Sequence, residues 1–185
     1  MNIPNSLTLI RILLIPVFIW AFYIPYDWAP AMATSIFVFA SVTDWFDGYL
    51  ARKLNQQSSL GAFLDPMADK LMVTAALLLL VAEHPHNNWL FFSTLIIIVR
   101  EIIISSLREW MATYGDSSKV AVSFFGKAKT VGQMFAICFL IYGHDIMGMP
   151  TFLLGIGLLV WAAFLTLFSL VTYLNSAWST IRKAG

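Results

Sequence analysis

Four aspartates carry the chemistry this sequence could do. Asp44 and Asp47 stand in the string D-W-F-D-G-Y-L-A-R, which ends at Arg52, and after eight residues Asp65 and Asp69 stand in G-A-F-L-D-P-M-A-D. Four of the ten acidic residues thus fall within 26 positions, with Gly48, Ala51, Arg52 and Gly61 between them. Residues three and four apart share a helical face, so Asp44 pairs with Asp47 and Asp65 with Asp69. If the two segments end consecutive antiparallel helices joined by a short loop, both pairs converge at one depth. Four carboxylates that close cannot all ionise beside a membrane unless cations neutralise them. Hard oxygen donors of this kind suit Mg²⁺, Mn²⁺ or Ca²⁺. Two such ions about 3.5–4 Å apart form the clamp used for displacement at phosphorus.

Each residue has a plainer reading when taken alone. Asp65 before Pro66 is also the pattern of a helix N-cap followed by proline. Asp44 and Asp47 could be interfacial charges, Arg52 and Lys53 topology determinants, and Gly48 and Gly61 packing or loop glycines. The conjunction favours a site, because a structural account needs both pairs matched on one surface by accident.

The elements that must position these residues are apolar. Of 185 residues, 59% are apolar and only 11% are charged, against about 25% in an ordinary soluble domain. Too few polar side chains are present to cover a water-soluble globule, and mean hydropathy of +0.79 excludes disorder. The net charge of +1 gives no electrostatic basis for binding nucleic acid. The single cysteine, Cys138, lies in an apolar run and can build neither a disulfide framework nor a cysteine metal site.

Six apolar runs predict six helices: Leu7–Tyr26 with Pro16 as a kink, Trp28–Thr43, Leu71–Ala82, Trp89–Leu107, Thr130–Tyr142 and Thr151–Leu174. A span needs about 20 residues, so the shorter runs must extend through polar ends. Helix two then continues through Asp44 and Asp47, and helix three begins near Pro66. With the N-terminus inside, the outer loops near Asp27, over 83–88 and over 144–149 contain no Lys or Arg. Arg11, Arg52, Lys53, Lys70, Arg108, Lys119, Lys127, Lys129, Arg182 and Lys183 fall inside, with Arg100 in the inner half of its span. A second span follows the first at once, which argues against a cleaved signal peptide despite Ala31-Met32-Ala33. The expectation is an all-α integral membrane bundle of six transmembrane helices. It is a single domain over 1–185, with cytoplasmic termini and a polar cavity on the cytoplasmic side.

The pattern D-x-x-D-G-x-x-A-R-x8-G-x3-D-x3-D resembles the signature of the CDP-alcohol phosphatidyltransferase family, with every fixed position present. N-I-P-N-S-L-T-L-I-R over 2–11, R-E-I-I-I-S-S-L-R-E-W over 100–110 and G-K-A-K-T over 126–130 are similar to the bacterial branch that uses sn-glycerol 3-phosphate. The resemblance implies transfer of the phosphatidyl group from CDP-diacylglycerol to that acceptor, releasing CMP, at the cytoplasmic face of the bacterial inner membrane. It implies two divalent cations, Mg²⁺ or Mn²⁺, on Asp44, Asp47, Asp65 and Asp69, with Asp69 also the general base. Gly48, Ala51 and Gly61 would let the nucleotide approach closely, and Arg52 would grip the donor phosphates through its guanidinium fork. Asn5, Thr8 and Arg11 would complete the nucleotide pocket, although Asn5 or Ser6 could simply cap helix one. A homodimer is implied by resemblance alone.

The acceptor also carries a phosphate, so a second basic site is required. Arg100 and Arg108, eight apart, lie within roughly 80° on one helix. Lys127 and Lys129, two apart, would diverge, so one of them reaches the ligand. Arg108, Lys127 and Lys129 could instead reflect inner-surface bias, and Arg100 could pair with Glu101 or snorkel. His84, His86 and His144 fall in outer loops, and Trp20, Trp28, Trp89 and Trp178 read as interfacial anchors. Two rivals stand: a sister enzyme with another acceptor, and a divalent-cation transporter. The latter is disfavoured by carboxylates clustered at one surface beside basic residues rather than near the midplane.

Overall fold

Each apolar run becomes helix in the computed structural model. It describes the backbone of residues 3–53, 59–113 and 124–184, and the side chains of 8–43, 64, 67–68, 70–111 and 129–175. Six helices follow in order: α1 (Ile3–Tyr23), α2 (Ala29–Lys53), α3 (Ser59–Glu83), α4 (Asn88–Thr113), α5 (Phe124–Tyr142) and α6 (Thr151–Ala184). Among the described residues there is no strand, only an isolated bridge between Ile146 and Met149.

The short second and third runs lengthen into their polar ends. α2 and α3 each have 25 residues, about 37 Å at 1.5 Å per residue. α2 continues through Asp44 and Asp47 to Lys53. Two expectations are corrected in α3. The helix starts at Ser59 rather than near Pro66, so Asp65 lies inside it and is no N-cap. Leu60, Ala62, Phe63 and Leu64 are good helix formers or tolerated apolar residues, and they carry the helix back past the proline. α1 ends at Tyr23, three residues short of the apolar run, because Pro25 disfavours helical backbone at the residue before it.

Local chemistry fixes the other ends. The Leu90 amide donates to Asn87 Oδ1 at 3.1 Å, an N-cap for α4. Gly143 follows α5 at φ 65°, and its amide donates to Phe139 O at 3.0 Å, closing the helix with a left-handed cap.

The chain divides into two compact units, Met1–Glu83 with Ile137–Phe152, and His84–Ala136 with Leu153–Gly185. In the first, α1 packs against both α2 and α3, which also touch each other. Phe18 of α1 meets Phe37 of α2 with ring centroids 6.1 Å apart. Buried alanines 21, 33, 40, 68 and 76 allow close helix approach. In the second unit, Ile104, Met111 and Tyr173 form a core cluster with Leu107, Trp110 and Leu170. Two segments, Asn88–Met111 and Thr151–Asn175, are long and apolar enough to cross a membrane.

Gly132 of α5 shows how tight the second unit is. A Cβ there would stand 2.6 Å from the Trp161 ring of α6. Gly132→Val should cost about 1–3 kcal/mol through overpacking. The expected readout is a lower thermal midpoint in detergent that Trp161→Ala in the same chain largely restores. An unchanged midpoint in the single variant would mean that the ring yields freely.

Candidate active site

The signature residues sit on consecutive helices. Asp44, Asp47, Gly48, Ala51 and Arg52 occupy the last turns of α2, and Gly61, Asp65 and Asp69 the first three turns of α3. Only residues 54–58 separate the helices, so the C-terminal end of α2 and the N-terminal end of α3 lie at the same end of the pair. The side chains of these eight residues lie outside the described residues, as do those of Asn5 and Lys127. What the backbone supplies is register: one carboxylate pair three apart on α2 and another four apart on α3. As a donor set, four carboxylates suit hard divalent cations. Among the residues whose side chains are described, no group of three or more His, Cys, Asp or Glu gathers, so His84, His86 and His144 form no such cluster.

α1 contributes polar groups to the same unit. Thr8 and Arg11 are fully buried, Arg11 at 1% exposure, and both share a stripe within about 80° with Phe18, whose ring meets α2. An arginine taken out of water on so apolar a helix needs polar or charged partners, because an uncompensated buried charge is costly, and Arg11 does make such an interaction. Thr8 and Arg11 thus lie in the unit that carries the signature helices.

Three basic residues of the second unit stand near one another. Arg100 Nη1 donates to Glu101 Oε1 at 2.8 Å, and Lys129 Nζ donates to the same oxygen at 2.6 Å. Arg100 Nη2 also donates to Ser169 Oγ of α6 at 3.1 Å. Arg100 Nε is buried with no hydrogen-bond partner among the described residues. Lys129 is only 3% exposed, although it begins the apolar part of α5. Arg108 lies close enough for its charge to act on Lys129, and its guanidinium stands 5.9 Å from the centre of the Tyr173 ring. Arg100 and Lys129 are therefore tied together by Glu101 across α4 and α5, with Arg108 near enough to add its charge. Lys127 is two residues from Lys129 on α5, so its backbone position faces about 200° away.

A model of the CDP-alcohol phosphatidyltransferase family matches residues 1–176. The chain belongs to this family. A relative from Yersinia pestis (strain Pestoides F), named CDP-diacylglycerol–glycerol-3-phosphate 3-phosphatidyltransferase, is 52% identical over 181 residues, covering 98% of this chain and 97% of its own. Proteins of the same name from Pectobacterium atrosepticum and Salmonella paratyphi A are 52% and 50% identical, each covering 95% of this chain and 94% of their own.

Within this phosphatidyltransferase, spacing pointed to Arg100, Arg108 and Lys129 as candidates but did not give all of the groups that contact them. Pairing of Arg100 with Glu101 was foreseeable from adjacency. Lys129 joining the same carboxylate, 28 residues away, was not. Ser169 and Tyr173 carried no signal, since neither stands in a motif and α6 has no charged residue near them. Tyr173 is buried in the cluster with Ile104 and Met111 while its ring underlies Arg108. Tyr173→Ala should therefore destabilise the folded protein by about 3 kcal/mol, whereas Tyr173→Phe, which keeps the ring, should cost less than about 1 kcal/mol. Thermal unfolding in detergent measures both; equal losses would show that the ring contributes nothing there.

Proposed function

We propose that this chain transfers the phosphatidyl group of CDP-diacylglycerol to the hydroxyl of sn-glycerol 3-phosphate, giving phosphatidylglycerophosphate and CMP. One observation carries the reading: half-identity over almost the whole length to proteins named for that reaction, with every fixed signature position retained. In this reading Asp69 takes the proton from the acceptor hydroxyl, whose oxygen attacks the lipid-bearing phosphorus. The bond from that phosphorus to the bridging oxygen breaks, and CMP leaves with the electron pair. Asp44, Asp47, Asp65 and Asp69 would hold two divalent cations, Mg²⁺ or Mn²⁺. When bound, these supply positive charge against the pyrophosphate oxygens. Arg52 grips the donor phosphates, Gly48, Ala51 and Gly61 leave room for the nucleotide, and Asn5, Thr8 and Arg11 line its pocket. Arg100, Arg108 and one of Lys127 and Lys129 supply the positive charge that receives the acceptor phosphate, and the contacts of Lys129 beside Arg100 favour Lys129.

The same proposal sets the protein in the bacterial inner membrane as a six-span homodimer, with both termini and the active site on the cytoplasmic face. Two apolar helices of spanning length support the membrane setting. So does a surface of large apolar groups, among them Leu13, Trp20, Trp89, Leu153 and Phe164, each more than three-fifths exposed. A surface of that kind is stable against lipid and unfavourable against water. The absence of Lys and Arg from alternate loops supports the orientation.

Two outcomes follow. Asp69→Asn should reduce transfer by about 10²–10⁴-fold, the usual worth of a general base, while the variant still folds and binds CDP-diacylglycerol. An active Asp69→Asn protein would remove that base from the mechanism. In a panel of acceptors assayed with labelled CDP-diacylglycerol, sn-glycerol 3-phosphate should be preferred over serine and inositol phosphate. Arg108→Ala should raise the KM for sn-glycerol 3-phosphate about tenfold, with little change for the donor. A preference for serine, or an unmoved acceptor KM, would count against the acceptor assignment.

A further inference from the structure

We propose that Glu101 is a positioning residue for the acceptor: its carboxylate holds Lys129 and Arg100 at the separation that receives the acceptor phosphate. The proposal rests on the reading of Arg100, Arg108 and Lys129 as the acceptor-phosphate site and adds a residue that signature and spacing do not assign.

A single oxygen, Glu101 Oε1, accepts from Lys129 Nζ at 2.6 Å and from Arg100 Nη1 at 2.8 Å. Two cations brought to one oxygen repel each other, so their placement depends on the carboxylate between them. Lys129 is buried at 4% side-chain exposure and Arg100 is largely covered at 12%, while Glu101 keeps 33%, so water can replace the carboxylate only in part. The trio still carries one positive charge in excess, before Arg108 is counted. The Arg100 fork is also incompletely used. Nη1 goes to Glu101 and Nη2 to Ser169, while Nε is buried without a partner among the described residues. A buried donor of that kind is costly unless something accepts from it. A phosphomonoester offers the surplus negative charge and several acceptor oxygens. Glu101 leaves Lys129 two further N–H groups and leaves the Arg100 Nε free, so it fixes both cations without consuming their capacity.

The alternative for a carboxylate here is simple charge balance, and the two differ in sign. If Glu101 only offsets charge, removing it makes the site more positive and acceptor binding stays equal or tightens. If it positions, removing it lets Lys129 and Arg100 separate and acceptor binding weakens. The test is steady-state kinetics of the purified full-length protein in detergent, with CDP-diacylglycerol and sn-glycerol 3-phosphate varied in turn. Glu101→Gln should raise the acceptor KM about tenfold, with the donor KM and kcat within about twofold of the parent. An acceptor KM that is unchanged or lowered overturns the proposal. So does an equal loss in kcat and both KM values, which a purely structural role would give. Should Glu101→Gln not accumulate as folded protein, Glu101→Asp keeps the charge but withdraws it by one carbon. It carries the same expectation and the same overturning results. Lys129→Gln, measured in parallel, separates the layers. An unmoved acceptor KM there means that the acceptor-site reading itself has failed. A raised one, with both Glu101 variants unmoved, means that only the positioning role has.

Discussion

Charge on an otherwise apolar helix has to be answered by opposite charge or hydrogen bonds, and this requirement organises the molecule. Its clearest expression is Glu101, which accepts from both Arg100 and Lys129. Removing one partner leaves the other charge without compensation, at a cost below the roughly 3–5 kcal/mol of a fully buried pair because Glu101 is one-third exposed. The cluster therefore constrains the fold as well as offering positive charge: α4 and α5 can exchange neither register nor neighbours without exposing an unpaired charge. Ser169 extends the same constraint to α6.

The same requirement gives the aspartate signature its meaning. α2 and α3 each carry a carboxylate pair on helices that are apolar over most of their length. If the two pairs converge, bare carboxylates there would be unstable, which is the ground for the proposed cations. α1 packs on both helices, with small alanines at the contacts and with Thr8 and Arg11 buried on the side of Phe18. The first unit carries the aspartate signature together with Arg52 on α2 and α3, and the second carries the Arg100–Glu101–Lys129 cluster on α4 and α5.

Much of this was legible in the sequence, for identifiable reasons. Hydropathy located all six helices because runs of Leu, Ile and Phe admit no other reading at this composition. The polar extension of α2 was expected from the shortness of its apolar run, and the helix does continue to Lys53. The start of α3 was misplaced because Asp65-Pro66 imitates an N-terminal cap, whereas the helix-compatible residues before it carry the helix back to Ser59. The aspartate register was legible because three- and four-residue spacing is a property of the helix alone. The Glu101 contacts were not, because a pairing across 28 residues depends on how α5 lies against α4. Nor could the role of Tyr173 under Arg108 be read from an aromatic residue in an apolar run.

The central claim is that the four aspartates of α2 and α3 hold a pair of divalent ions. Electron paramagnetic resonance of the Mn²⁺-loaded protein in detergent tests it most directly. Two ions per chain with the spectral signature of a close, spin-coupled pair are expected, and the coupling should vanish in Asp44→Asn/Asp65→Asn. A single uncoupled ion per chain, or a coupled signal that survives the double substitution, would contradict it.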